Sequence, residues 1–126
     1  MKKIAFFDID GTLTSEIDGS IPASAIEAIR TARANGNLMF INTGRCFQNV
    51  EERFRSIGFD GFVCGCGTNI YCEDKEILHV SQTHDTTMEL LKAAQDADLD
   101  ILFESYKEVT FDRSRPLHDS EAIKLY

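Results

Sequence analysis

The sequence is short of positive charge and lacks long apolar runs. It has 13 lysine and arginine residues against 21 aspartate and glutamate residues, which gives a formal net charge of −8 at pH 7. This balance argues against nucleic acid or an anionic membrane surface as the main partner. No apolar run approaches membrane-spanning length, and the run after Lys3 ends at Asp8, too early for a signal peptide. We therefore expect a cytoplasmic protein that binds neither nucleic acid nor membrane.

The cysteines lack the spacing of a metal site or a disulfide framework. Cys64-Gly65-Cys66 has no two-residue spacer of the kind found in common zinc pairs, and no second pair or close histidine pair accompanies it. Cys46 and Cys72 stand apart from this pair. Because no export signal is recognisable, we expect four free thiols and no structural zinc.

The first half of the chain alternates between apolar runs and amphipathic segments. Near-continuous apolar runs predict three strands, at 3–7, 38–41 and 62–64. We expect the first strand to be buried on both faces. Apolar residues at helical spacing predict one helix after Pro22 and a second over 47–57. This β-α-β-α-β order predicts an α/β fold with a parallel sheet.

The pattern changes after the third strand. Apolar residues at 70–71 and 77–80 flank a polar stretch and predict a hairpin. A helix capped by Asp85 follows, and then a second hairpin over 101–111. A further helix is expected after residue 115. A small α+β unit therefore follows the parallel half, and we expect residues 1–82 and 83–126 to form separate parts.

Two carboxylates follow the first strand directly. Asp8 and Asp10 lie where a parallel strand delivers its next residues to a ligand-binding crevice. One carboxylate can act as a nucleophile and the other as a general acid and base. Gly11 permits a sharp turn, and Thr12 adds a hydroxyl and an amide. A plain Asp-Gly turn is the alternative, but it requires neither a second aspartate nor a threonine.

A second polar cluster follows the second strand. Asn42-Thr43-Gly44-Arg45 combines a hydroxyl, a flexible glycine and a cation at the expected start of a helix. Thr43 can hold a phosphoryl oxygen, Arg45 can add charge, and a helix N-terminus attracts anions. Adjacent parallel strands would bring both clusters to one edge of the sheet.

These two clusters resemble the haloacid dehalogenase-like superfamily. The resemblance rests on Phe-Asp-Ile-Asp-Gly-Thr-Leu at 7–13, followed about thirty residues later by Asn42-Thr43-Gly44-Arg45. More narrowly, the chain is similar to the sugar-phosphate phosphatase-like group, whose α/β cap is inserted after the third strand. Cys66 and Thr68 depart from the Asn-Gly-Ala turn that this group often has there. The resemblance implies the first half of a Rossmann-like core over 1–82 and part of a cap over 83–126.

The resemblance also implies a mechanism. Asp8 would attack phosphorus and form an aspartyl-phosphate, and Asp10 would protonate the leaving oxygen and then activate water. The Asp8 carboxylate and the Asp10 carbonyl would ligate Mg²⁺. Phosphate binding is assigned to Gly11, Thr12, Thr43, Gly44 and Arg45. The expected substrate is a small phosphorylated metabolite, with a phosphomutase as a variant because the same loops serve both reactions.

The resemblance requires two elements that the sequence does not show. These are a lysine that holds the phosphoryl group and a glycine-led acidic pair that completes the magnesium site, both located after the cap in the family. Magnesium prefers about six oxygen ligands, so two from the first loop would hold it loosely. The strand expected beside the first strand is missing too, which would leave that strand at an open edge.

We therefore expect an incomplete chain with weak or absent activity, or one that completes its sheet by self-association through the open edge. The alternative is a non-catalytic relative that binds a partner or phosphate without turnover. Coding sequence beyond Tyr126 that supplies the lysine and the acidic pair would favour the enzyme. The substrate itself is not readable from these residues.

Overall fold

The computed structural model describes residues 1–73, 75–105 and 107–114. The chain divides into two compact units, Met1–Val80 and Ser81–Tyr126. The helix expected after residue 115 lies outside the described residues. None of the helices in the described ranges has the length and apolar character needed to cross a membrane.

The first unit has the predicted α/β order. Strand β1 is followed by helix α1, strand β2, the short helix α2, strand β3 and the hairpin strands β4 and β5. Their bounds are Ile4–Phe7 for β1, Ala23–Ala34 for α1, Leu38–Asn42 for β2, Glu52–Arg55 for α2, Gly61–Cys64 for β3, Asn69–Cys72 for β4 and Lys75–His79 for β5. The α/β fold class is therefore confirmed, and so is the hairpin after the third strand.

One five-stranded sheet joins these strands in the order β1-β2-β3-β4-β5. Strands β1, β2 and β3 are parallel, with Phe7 beside Ile41 and Ile41 beside Phe62. Strand β4 then pairs antiparallel with both β3 and β5. Parallel pairing brings the carboxyl ends of the first three strands to one edge, where the loops carrying the polar clusters begin.

The hydrophobic core lies on one face of this sheet. Met39 and Ile41 point to that face and pack with Ile29 of α1 and Phe54 of α2, and none of the four side chains is more than 5% exposed. Burial of these apolar surfaces stabilises the unit and fixes α1 and α2 against the sheet.

Strand β1 differs from the expectation of burial on both faces. It forms one edge of the sheet, as predicted, but Ile4 and Phe6 each remain 58% exposed. Only the alternate residues, Ala5 and Phe7, pack against the core. The expectation was wrong because an apolar run reports the character of both faces, whereas burial depends on what covers each of them.

The second predicted helix, over 47–57, is also corrected. The segment forms a single 3₁₀ turn at Phe47–Asn49 and the four-residue α2, separated by extended backbone at Val50 and Glu51. The Arg55 guanidinium donates to the carbonyl oxygens of Phe47 (2.8 Å) and Gln48 (3.3 Å). A continuous helix would have used these carbonyls for its own hydrogen bonds.

The second unit contains helix α3 and a hairpin. Helix α3 spans His84–Asp96, and strands β6 (Leu102–Glu104) and β7 (Val109–Phe111) pair antiparallel. The cap of α3 is Thr83, whose hydroxyl accepts a hydrogen bond from the Thr86 amide at 3.2 Å. Asp85, the predicted cap, lies instead in the first turn, where its charge suits the helix dipole.

Candidate functional site

The first loop leaves β1 and is anchored in the core at both ends. Ile9 is fully buried and Leu13 is 3% exposed. The amide and the hydroxyl of Thr14 both donate to the Ile9 carbonyl oxygen, at 3.1 and 3.0 Å. These bonds close a wide turn over Ile9–Leu13. The intervening polar residues are therefore held at the surface by apolar neighbours on either side.

Within this loop, Asp10 and Gly11 form the centre of a tight turn. Asp10 has φ −78° and ψ 121°, and Gly11 has φ 72° and ψ 5°. These angles are those of a type II turn, whose second central residue needs positive φ and hence favours glycine. Asp8, just before the turn, is extended and exposed, and its side chain does not cap the turn. The loop thus presents an accessible Asp8 carboxylate beyond the end of β1.

The second loop, after β2, lies against the first. Thr43 is only 4% exposed; its amide donates to the Val63 carbonyl oxygen at 2.9 Å, and its hydroxyl oxygen accepts from the Arg45 amide at 3.2 Å. No α-helix begins here, because the first helical turn after Thr43 is the 3₁₀ turn that starts at Phe47. The expected helix N-terminus at this loop was therefore wrong, and anion binding here would depend on side chains and loop amides.

A third loop, after β3, completes this edge of the sheet. The Gly65 amide donates to the Arg45 carbonyl oxygen at 2.9 Å, and the Cys66 amide donates to the Thr43 carbonyl oxygen at 3.3 Å. Cys66 adopts φ 54°, which is uncommon for a residue with a side chain. These bonds fix the second loop on the side away from the first loop.

Arg45 joins the first two loops directly. Its Nε and Nη2 atoms donate to the two carboxylate oxygens of Asp10, at 3.1 and 2.7 Å. Its Nη1 atom donates to Glu51 at 3.1 Å. The pKa of Arg45 is raised, chiefly by the hydrogen bond with Asp10. The two polar clusters therefore meet as predicted, but Arg45, which was expected to face a phosphoryl group, holds a proposed catalytic carboxylate in this structure.

Sequence reasoning did not find Glu51 and Arg53. Glu51 accepts hydrogen bonds from both Arg45 and Arg53, and Arg53 donates to the Gly19 carbonyl oxygen at 2.8 Å. Both residues lie within the segment 47–57 that was predicted as one helix. Their spacing carries no signal, since it is the extended backbone at Val50 and Glu51 that turns the carboxylate towards Arg45.

Cys64 lies near the site but is not a candidate nucleophile. All four cysteines are free, as predicted. Cys64, at the end of β3, is fully buried, and burial, reinforced by Cys46, raises the pKa of its thiol to about 11. A thiol with this pKa stays protonated near neutral pH and is a poor nucleophile.

The acidic residues of the first loop are of the type that binds a divalent cation, but they are too few to surround one. Carboxylate and carbonyl oxygens at Asp8 and Asp10 are ligands of the type that magnesium prefers. In residues 1–73, 75–105 and 107–114, no three His, Cys, Asp or Glu side chains gather closely enough to hold a metal ion. The first loop alone can therefore supply only part of a coordination shell.

Comparison with known proteins agrees with this geometry. Residues 5–125 match the sequence profile of the haloacid dehalogenase-like hydrolases. YkrA of Bacillus subtilis (strain 168), to which a phosphatase activity is provisionally assigned, is 28% identical over 101 residues, which cover 80% of this chain and 39% of YkrA.

Solved structures show the same fold. A hypothetical protein from Geobacillus kaustophilus HTA426 is 28% identical with a TM-score of 0.84, over 100% of this chain and 50% of that one. The subclass IIB sugar phosphatase BT4131 is 26% identical with a TM-score of 0.74, over 88% of this chain and 44% of that one. The chain thus spans about half the length of the relatives it matches. By its sequence profile, its fold and its loop residues, the chain belongs to the haloacid dehalogenase-like hydrolase family.

Proposed function

We propose that this chain carries the nucleophile loop of a magnesium-dependent phosphatase that acts on small phosphorylated metabolites. The observation that carries the proposal is the contact between Asp10 and Arg45, which joins the loops after β1 and β2 beside an accessible Asp8. A phosphatase and a sugar phosphatase among the relatives are consistent with this substrate class.

In the proposed reaction, an Asp8 carboxylate oxygen attacks phosphorus. A phosphorus–oxygen bond to Asp8 forms while the bond to the leaving oxygen breaks, and Asp10 donates a proton to that oxygen. Asp10 then accepts a proton from water as the water attacks phosphorus, which releases inorganic phosphate and regenerates Asp8. The Asp10 carboxylate must leave its fork with Arg45, at least in part, before it can carry a proton.

The remaining loop residues would bind the phosphoryl group. The Thr43 hydroxyl would donate to a phosphoryl oxygen, and the amides around Gly11 and Thr12 would add donors on the other side. Gly44 would let the group approach the backbone closely. Arg45 contributes charge near the site while it remains bound to Asp10.

Magnesium would be held by the Asp8 carboxylate and the Asp10 carbonyl oxygen. When bound, it would offset the negative charge of the phosphoryl group. Because the described residues supply only part of its coordination shell, we expect these 126 residues to turn over substrate slowly or not at all. Residues 83–126 are proposed to be part of a cap, which would contribute to substrate selection.

The test is phosphoryl transfer to Asp8 itself, which does not require turnover. The chain would be incubated with magnesium and acetyl phosphate and then examined by intact-protein and peptide mass spectrometry. We expect one phosphoryl group on the peptide containing Asp8, and none in Asp8→Asn. The matched control is Asp96→Asn, an exposed change at the end of α3, which should label like the original chain. Labelling elsewhere, or no labelling, would contradict the proposal.

A phosphomutase would use the same loops. Transfer from a labelled donor to a second sugar phosphate, rather than to water, would separate this variant from a phosphatase. A non-catalytic role would follow if the same contact, in which Arg45 holds both Asp10 oxygens, is never released. In that case inorganic phosphate should bind without any labelling of Asp8.

The partner that the fold favours is a second copy of this chain. Strand β1 lies at an edge of the sheet, and its Ile4 and Phe6 side chains are each 58% exposed. An open edge beside exposed apolar side chains is a site for pairing with another strand. We propose that a second copy can occupy this edge, and sedimentation velocity over a range of concentrations would measure it.

A further inference from the structure

A chain of alternating charges runs away from the site. It begins at Asp10, passes through Arg45 and Glu51, and ends at Arg53. Of these four residues, Glu51 and Arg53 have no part in the proposed reaction. We propose that Glu51 is a positioning residue for Asp10 that acts through Arg45. This inference rests on the proposed role of Asp10 as acid and base.

The geometry of Arg45 gives Glu51 its influence. The guanidinium group is planar and its donors form a rigid fork. One edge, made of Nε and Nη2, contacts both oxygens of Asp10, and Nη1 contacts Glu51 Oε1 at 3.1 Å. Nη1 also lies 3.5 Å from the Asn49 carbonyl oxygen. Because the group is rigid, holding Nη1 on Glu51 also sets the direction of the edge that contacts Asp10.

Glu51 is itself held in place by Arg53. Arg53 Nε lies 2.7 Å from Glu51 Oε2, and Nη2 lies 3.1 Å from Oε1, so that both oxygens are engaged. Hydrogen bonding to Arg53, and then to Arg45, lowers the pKa of Glu51. The Glu51 carboxylate is therefore ionised near neutral pH and oriented towards Arg45.

Arg53 is anchored to the core and to the loop before α1. Its guanidinium lies 4.7 Å from the centre of the Phe54 ring, and Phe54 is fully buried in the core. Its Nη1 donates to the Gly19 carbonyl oxygen at 2.8 Å. The core thereby fixes Glu51 through Arg53, while Arg45 also lies over the same ring, 5.8 Å from its centre.

Glu51 influences whether the Arg45 guanidinium contacts Asp10 or a bound phosphoryl group. A free arginine beside a phosphate site would turn towards the phosphoryl dianion, because arginine and phosphate form a strong bidentate pair. Glu51 opposes this turn, since it occupies Nη1 and adds a negative charge near the anion. Glu51 thus keeps Arg45 on Asp10, and its loss should strengthen anion binding while Asp10 loses its fixed orientation.

The test compares Glu51→Gln with Glu52→Gln. Both changes remove one negative charge at neighbouring exposed positions, but only Glu51 contacts an arginine side chain among the hydrogen bonds described above. The first readout is the ¹⁵N–¹H resonance of Arg45 Nε in the 126-residue chain. The second is the Kd of inorganic phosphate, measured without metal by NMR titration.

In Glu51→Gln we expect the Arg45 Nε resonance to move towards that of free arginine and to exchange faster with water. The phosphate Kd should fall, up to about fivefold, the size expected for one partly exposed ion pair. Glu52→Gln should change neither. Glu51→Asp keeps the charge and should retain part of the original Arg45 resonance position.

An unchanged Arg45 resonance in Glu51→Gln, with the resonance dispersion of a folded chain, would overturn the proposal. So would an equal effect of Glu52→Gln, which would show a general effect of charge. The Arg45 Nε resonance tests whether Glu51 orients Arg45 even where phosphate binds too weakly for its Kd to be measured. The proposed function fails separately, by the absence of phosphoryl transfer to Asp8.

Discussion

Strands β1 and β2 carry apolar side chains on both faces of the five-stranded sheet, but the two faces have different surroundings. On the covered face, Ile41 is fully buried against Phe54, and Met39 is 5% exposed. On the other face, Ile4 and Phe6 of the edge strand are each 58% exposed. Strand composition therefore sets which faces of a sheet can be buried, whereas the neighbouring elements decide which faces are buried.

The candidate site belongs to the covered face. Ile9 and Leu13, which flank Asp10 in the loop after β1, are members of the same buried cluster as Phe54. Arg53, which holds Glu51, also lies against the Phe54 ring. Substitutions that disturb packing on the covered face should therefore alter the site. Substitutions on the open face, which carries Ile4 and Phe6, should not.

The largest effect on stability is expected from Phe54→Ala on the covered face. Phe54 is fully buried, so its truncation should cost about 3–5 kcal/mol through lost transfer energy and a cavity. Urea denaturation measures the change. Phe6→Ala is the matched control on the open face and should cost less than about 1 kcal/mol, since the ring is mostly exposed.

Phe54→Ala could leave too little folded chain to measure. Ile41→Val then makes the same comparison more gently, with an expected loss of about 1 kcal/mol. Equal losses for the two phenylalanine variants would show that the faces do not differ in the way described.

A smaller loss is expected from Gly61→Ala, and it marks where the open face is tightly packed. A methyl group at Gly61 would overlap the Phe40 ring and the Tyr71 carbonyl oxygen. Phe40, although on the same face as Phe6, is only 8% exposed. Because backbone and ring must shift, we expect a loss of about 1–3 kcal/mol in urea denaturation.

Gly44→Ala is the stability control for this change. Its added methyl group would meet Cys66 Sγ at 3.6 Å, which is ordinary contact, and stability should barely change. A tolerated Gly61→Ala would mean that Phe40 can move freely and that the open face is loose throughout.

A third prediction concerns acid stability on the covered side. Asp60 accepts two hydrogen bonds from Arg33 of α1, at 3.1 and 2.8 Å, and one from the Met39 amide at 2.8 Å. The hydrogen bonds from Arg33 are the main cause that lowers the pKa of Asp60 below its ordinary value of 3.8. A lowered folded-state pKa contributes stability above the unfolded-state value, and this is lost as pH falls through the folded-state value.

Asp60→Asn should therefore flatten the dependence of unfolding free energy on pH below about pH 4. The loss at neutral pH is expected to be about 1 kcal/mol or less, because Arg33 is partly exposed. Asp96→Asn, exposed at the end of α3, should leave the profile unchanged. If Asp60→Asn and the original chain lose stability identically as the pH falls, other carboxylates are responsible for the acid dependence.

The smallest effect on stability, but the largest on association, is expected from Phe6→Lys. The side chain is 58% exposed, so a lysine can reach solvent at little cost. A charge on the edge strand disfavours pairing with another copy. Sedimentation velocity should show a larger monomer fraction than for the original chain. An unchanged distribution would place any self-association elsewhere.

Much of the fold was predictable because it is local. The three parallel strands, helix α1 and the hairpin after β3 each have an apolar period and a turn residue that suffice for their assignment. Gly11 in particular was predicted as a turn glycine, and it has φ 72°. The contact of the two loops followed from parallel pairing alone.

The segment 47–57 was less predictable. Its apolar spacing correctly marked Val50, Phe54 and Ile57 as buried. The segment nevertheless folds as a 3₁₀ turn, an extended link that contains Val50, and one helical turn that contains Phe54, with Ile57 beyond the helix. Arg55 and Glu51 decide this, because their side chains bond to backbone and side chains that a helix would place elsewhere.

The residues available for chemistry at the site, Asp8, Asp10 and Thr43 at the ends of adjacent strands, can be read from the sequence. Local rules suffice there, since strand, turn and loop depend on residues close in the chain. Three features emerge only when the chain folds: Arg45 binds Asp10, Glu51 holds Arg45, and one face of β1 stays open. The Arg45–Asp10 contact and the open side of β1 depend on segments far apart in the chain. Glu51 is only six residues from Arg45, but it reaches Arg45 because the backbone at Val50 and Glu51 is extended, which the apolar spacing does not encode.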